Sequence, residues 1–179
     1  MALESEFELP NTFNNVEIHY TGVGKVNAAI KATSVLMYKN NKDTLVINYG
    51  SAGSKVLLKH NLYKCTSFEQ IDMDARPLTQ TVGETPFDES IYHNMPNVLS
   101  FDKKGYLCST ADKFQENPLA PIVDMEAYSL AKVCKIFGFE FLAYKYISDD
   151  GNPEDWENNH HLGKDLFLEV LQDEIIKRA

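Results

Sequence analysis

Apolar and polar positions along this chain switch between two periods, and the switches mark its elements. Residues 139–147 (FEFLAYKYI) form an apolar run of a length suited to a buried strand. Just before it, Ala127, Leu130, Ala131, Val133, Cys134 and Phe137 recur at helical spacing, and Gly138 supplies the stop. Nearer the N-terminus, residues 16–21 (VEIHYT) alternate and are rich in β-formers, which predicts a strand. A glycine turn, 22–25 (GVGK), leads into a predicted helix over 26–38 with Ala28, Ala29, Ala32, Val35 and Leu36 on one side. Residues 44–49 (TLVINY) read as a central parallel strand covered on both faces, ending in the small residues 50–54 (GSAGS). Residues 61–72 read as extended, 98–101 and 106–109 as short strands, and 79–96, with His93, as a turn-rich surface loop. Residues 153–161 read as a polar loop. A terminal amphipathic helix over 163–178 points Leu166, Phe167, Val170, Leu171 and Ile175 inward. Strands alternating with helices indicate an α/β fold with a largely parallel sheet. No repeat or composition break divides the chain, so residues 1–179 are expected to form one domain.

Composition narrows the function classes. Of 179 residues, 44% are hydrophobic and 24% charged, ordinary values for a globular protein. A net charge of −9 argues against a nucleic-acid backbone binder, which needs a basic surplus to displace counterions. No apolar run is long enough to span a membrane, so no membrane partner is expected. Cys65, Cys108 and Cys134 lie far apart in apolar segments, with no metal-ligand spacing. They read as reduced, buried thiols of a cytoplasmic protein without metal or cofactor.

Candidate chemistry gathers where elements begin and end. Asp124, Met125 and Glu126 open the helix at 127, and Ser148, Asp149 and Asp150 close the strand after it. Helix starts and strand ends border crevices in open α/β sheets. The bland alternatives are that Asp124 is an N-cap and Asp149 a turn residue. Glycines at 22, 24, 50 and 53 allow close backbone approach to a ligand, though the GVGK turn lacks the spacing of a P-loop or dinucleotide fingerprint. Phe114, in a polar loop, reads equally as core or as a ring that stacks on a flat ligand. Arg76 beside Asp74 reads as a structural ion pair, and Glu4 and Glu6 as solvated terminal charges.

Five stretches in order, TGVGKVNAA, VINYGSAG, CSTADKF, VDMEA and YISD, resemble the nucleoside phosphorylase/nucleosidase superfamily, closest by motif to its methylthioadenosine/S-adenosylhomocysteine nucleosidase group. The resemblance covers nearly the whole chain. It implies a three-layer α/β/α sandwich around a twisted, mixed, mostly parallel sheet, with the family's opening strand missing before Met1. It implies a small-molecule nucleoside substrate and a homodimer. Asp149 matches the acid that protonates the purine at N7, and Ser148 the serine that orients it. Glu126 and Met125 match the ribose binders, with Asp124 beside them. Phe114 matches the stacking aromatic, and Ser51, Ala52 and Gly53 the pocket wall. Glu6 matches the glutamate that activates water, and Lys145 stands where the nucleosidases carry an arginine. The superfamily's phosphorylases hold phosphate with arginines. Here Asn48 occupies one such position and no arginine precedes Arg76, so hydrolysis is expected over phosphorolysis, with a non-catalytic nucleoside binder as the third reading.

Overall fold

The computed structural model describes the chain except for residues 11, 12, 14, 89–96 and 179, so His93 lies outside the described residues. Its strands are β1 (Leu45–Gly53), β2 (Leu62–Gln70), β3 (Leu99–Ser100), β4 (Tyr106–Thr110), β5 (Ile122–Asp124) and β6 (Glu140–Asp149). The helices are α1 (Lys25–Leu36), α2 (Ala127–Phe137), α3 (Pro153–Asn159) and α4 (Lys164–Ile176). The sheet is mixed. Strands β1 and β6 pair in parallel, as do β2 with β4 and β4 with β5, whereas β3 and β6 both run antiparallel to β2.

The period of two in β6 divides its side chains between two apolar layers. Phe141, Ala143 and Ile147 join Ala127, Leu130, Ala131 and Cys134 of α2 and Ala28 and Leu36 of α1 on one face. Leu142, Tyr144 and Tyr146 join Phe7, Tyr49, and Phe167 and Leu171 of α4 on the other. Tyr49 stacks on Phe167 with centroids 4.2 Å apart. Helix, sheet and helix thus make the three expected layers. The three cysteines are free and buried, and among the described residues no helix is long and apolar enough to cross a membrane.

Four local expectations change. Residues 16–21 form no ladder strand; they run beside the N-terminus, where Thr21 N–H donates to the Met1 carbonyl (2.8 Å) and Gly22 N–H to that of Ala2 (3.1 Å). The strand expected to stop at Tyr49 continues through Gly53, because its small residues pair with β6 instead of turning away. Residues 153–161 contain a helix, since Asn152 caps it by accepting from Glu154 N–H (2.9 Å) and Pro153 sits at its first position. Leu166 is 39% exposed, whereas Phe167 and Leu171 are buried as expected.

Candidate active site

The strand ends that meet α2 line a hollow of about 170 Å³. The register of β1 against β6 shifts between Ala52 and Gly53, so Ala52 pairs with Ile147 but Gly53 with Asp149, and β6 carries the extra residue. The skipped Ser148 donates to Asp149 Oδ2 at 2.8 Å, and Gly151 N–H donates to Oδ1 at 2.9 Å. A Cβ on Gly53 would lie 3.0 Å from Asp149 Oδ1, so the absent side chain at Gly53 leaves room for the carboxyl. Burial pushes the Asp149 pKa up, and the two hydrogen bonds offset this only in part. Asp149 is therefore a better proton carrier near neutrality than an exposed aspartate.

Glu126 begins α2 at the opposite wall. Its Oε1 accepts from Gly24 N–H at 2.9 Å, which gives the glycine turn a purpose: it brings a backbone donor to the carboxylate. Burial, then the neighbouring Asp124 charge, raises its pKa to about 7. A raised carboxyl pKa costs stability as pH rises from about 4.5 to about 7, because the unfolded chain ionises first. Glu126→Gln is accordingly expected to melt above the native chain at pH 8, by an amount on the order of 2–3 kcal/mol that vanishes towards pH 4.5. Thermal melts of both proteins across that range check this; a constant difference would contradict it.

Asp124 is placed differently from its neighbours. Its side chain is fully buried, and Lys145 Nζ lies 2.7 Å from Oδ2. Thr110 Oγ1 donates to Oδ1 at 2.6 Å, and Ala127 N–H to Oδ2 at 2.7 Å. Both oxygens are engaged, so the carboxylate ties β4, β6 and the start of α2 together, and Asp124 is also among the residues that line the hollow. Burial opposes both charges, but the pairing wins: the Lys145 pKa is raised and that of Asp124 lowered.

Glu6 is not a solvated terminal charge. It is 3% exposed, held in a short 3₁₀ turn, Glu4–Glu6. Its Oε1 accepts from both the backbone N–H and the hydroxyl of Ser51, each at 2.8 Å, and Oε2 from Leu3 N–H at 3.2 Å. A Cβ at Gly50 would lie 3.4 Å from Glu6 Oε1 and 3.5 Å from Lys145 Nζ, so both groups border the same glycine. Ser51, Ala52, Gly53, Phe114, Met125, Glu126, Asp149 and Glu6 all line the hollow; Ser148 and Lys145 stand behind it. Sequence reasoning missed Trp156, which lines the hollow and donates from Nε1 to Ser51 Oγ at 3.1 Å. Its signal was available: it is the only tryptophan of the chain, in a polar segment.

No family model matches the sequence. The chain is 28% identical over 174 residues to the 5′-methylthioadenosine/S-adenosylhomocysteine nucleosidase of Bacillus subtilis, covering 83% of this chain and 72% of that protein. It is 29% identical over 182 residues to the same-named protein of an Exiguobacterium species, covering 87% and 74%. Among solved structures, it superposes on the Helicobacter pylori nucleosidase of that name, complexed with a pyrrolidine ligand, with a TM-score of 0.73 and 21% identity, covering 87% of this chain and 78% of that one. Futalosine hydrolase of the same organism gives 0.72 at 21% identity. These similarities fit the nucleoside phosphorylase/nucleosidase superfamily.

Proposed function

We propose that this protein is a purine nucleosidase that hydrolyses the N-glycosidic bond of adenosine-type nucleosides, the class named in its relatives. The observation that carries this reading is convergence: Asp149 from the end of β6, Glu126 from the head of α2 and Glu6 from the N-terminal turn border one hollow. Breaking the bond builds positive charge on the ribose and negative charge on the departing purine. Asp149 supplies a proton to the base at N7, oriented by Ser148. Glu126 keeps one oxygen bound to Gly24 and takes the sugar hydroxyls with the other, above Met125. Glu6 accepts the proton of the attacking water. Phe114 stacks on the base, and the wall from Ser51 to Gly53 closes its edge. Acid and base assistance of this kind contributes about 10²–10⁴-fold each.

Water is favoured over phosphate as nucleophile by the disposition of the arginines, since the cation that lines the hollow is a lysine, Lys113. Arg76 is committed to Asp74 at 2.5 Å and Arg178 to Glu140 at 2.5 Å, neither of which borders the hollow. Lys145 is committed to Asp124. Bidentate phosphate recognition has no arginine to draw on. The reading includes a homodimer. Val23, 44% exposed, lines the hollow and continues along α1 into Val26 and Ile30, 67% and 64% exposed. A second copy covering this strip would also close the 5′ end of the site. Free, buried cysteines support a cytoplasmic setting.

Incubation with methylthioadenosine is expected to release adenine and free methylthioribose at a rate independent of added phosphate. A sugar 1-phosphate product would establish phosphorolysis instead, and tight binding without turnover would establish a binding protein. Light scattering is expected to give twice the mass of the chain.

A further inference from the structure

We propose that Trp156 is a positioning residue for Glu6, acting through the hydroxyl of Ser51 and anchored by His160. The inference rests on the reading of Glu6 as the group that activates water. An indole N–H only donates, so the direction of the chain is determined: Trp156 Nε1–H to Ser51 Oγ at 3.1 Å, then Ser51 O–H to Glu6 Oε1 at 2.8 Å. A donor received by the serine oxygen polarises the hydroxyl and strengthens its own donation. Ser51 has one hydroxyl proton, and this arrangement directs it to the carboxylate.

His160 supplies the second hold. Its ring stacks on Trp156 with centroids 4.7 Å apart and planes at 20°. Its Nδ1 faces the carbonyls of Trp156 (3.0 Å) and Glu157 (3.2 Å), so the proton of a neutral ring resides there. Nε2 is then left to accept from Ser5 Oγ at 3.0 Å. Ser5 and Glu6 are adjacent, so the segment that carries α3 grips the same turn twice: once directly at Ser5, and once at Glu6 through Ser51. The helix itself, seven residues long, buries no residue of its own. Core packing therefore does not account for a tryptophan there, whereas fixing the water-activating carboxylate does.

The test combines kinetics with a measurement that needs no turnover. Trp156→Phe keeps an aromatic ring beside His160 while removing the indole N–H together with its five-membered ring. On methylthioadenosine it is expected to lower kcat about fivefold to tenfold, with KM within about twofold and an unchanged melting temperature. Ser51→Ala breaks the chain one step later, so adding Trp156→Phe to it is expected to cost less than about twofold more. Equal losses in both backgrounds would overturn the proposal. Because Trp156 is the only tryptophan, ¹⁵N-labelled protein has one indole cross-peak. Its proton is expected to move upfield in Ser51→Ala and to respond to Glu6→Gln. A peak indifferent to both overturns the relay whether or not the native protein cleaves nucleosides. A native protein that releases no adenine, with the peak still responsive, refutes the nucleosidase reading and leaves the hydrogen-bonded chain standing as geometry only.

Discussion

Asp149→Asn is expected to lower kcat for nucleoside cleavage by about 10²–10⁴-fold while KM changes little. Asparagine keeps the shape and can still donate a hydrogen bond to the purine, but it has no proton to transfer. The hydrogen bond from Gly151 is retained by the amide oxygen, so the bulge of β6 opposite Gly53 has no reason to move. Stability should not fall either. Burial already disfavours the charged form of Asp149, and a neutral amide removes that cost. Linkage gives the sign: a carboxyl whose folded pKa is raised costs stability above its unfolded pKa, so the variant should melt at or above the native temperature at pH 7 and match it at low pH. Activity of the native enzyme should decline as pH rises past the Asp149 pKa, where the acid is lost. Product analysis, kcat and melting curves on the same two proteins check all of this. A fully active asparagine variant would remove Asp149 from the chemistry.

Much of this site was legible because its parts sit at element boundaries, which local sequence marks well. The run of apolar residues up to Ile147 locates a strand, and the acid must then sit at its end; β6 does stop at Asp149. Gly138 ends α2 in a left-handed conformation, as a helix-stopping glycine should. What stayed hidden depends on contacts distant in sequence. Nothing near Glu6 distinguishes it from the exposed Glu4; it is buried because Ser51, far along the chain, offers it two donors. The three-residue strand β5 is too short for a period to register. The segment over 16–21 has a strand's composition but bonds to the N-terminal residues, Thr21 N–H to the Met1 carbonyl and the Met1 amine to the His19 carbonyl, and joins no sheet ladder among the described residues. Resemblance supplied Lys145 as a charge near the water, whereas geometry binds it first to Asp124. A pairwise contact of that kind has no local signature at either residue.

That pairing makes Lys145→Met the substitution with the largest expected cost in stability. Lysine and aspartate side chains are 1% and 0% exposed, so the methionine variant leaves a carboxylate buried with hydrogen-bond donors but no cation. Breaking a buried pair in this way costs about 3–5 kcal/mol, which for a chain of this size lowers the melting temperature by about 10 °C. The pH dependence follows from the two shifts. Asp124 has a lowered pKa, so its contribution is present above the unfolded value of 3.8 and lost as pH falls through its folded pKa. Lys145 has a raised pKa, so its contribution is present below 10.5 and lost as pH climbs through its folded pKa. The deficit of the variant should therefore be greatest across the neutral range and shrink in acid, where Asp124 takes up a proton. Activity falls with it, because Asp124 also holds the first turn of α2, on which Glu126 stands. Adding Asp124→Asn removes the stranded charge while keeping an acceptor for Ala127 N–H, and is expected to recover most of the lost stability. If Lys145→Met melts with the native chain at pH 7, the pair contributes nothing to the fold, and the account of Asp124 as the tie between β4, β6 and α2 has to be given up.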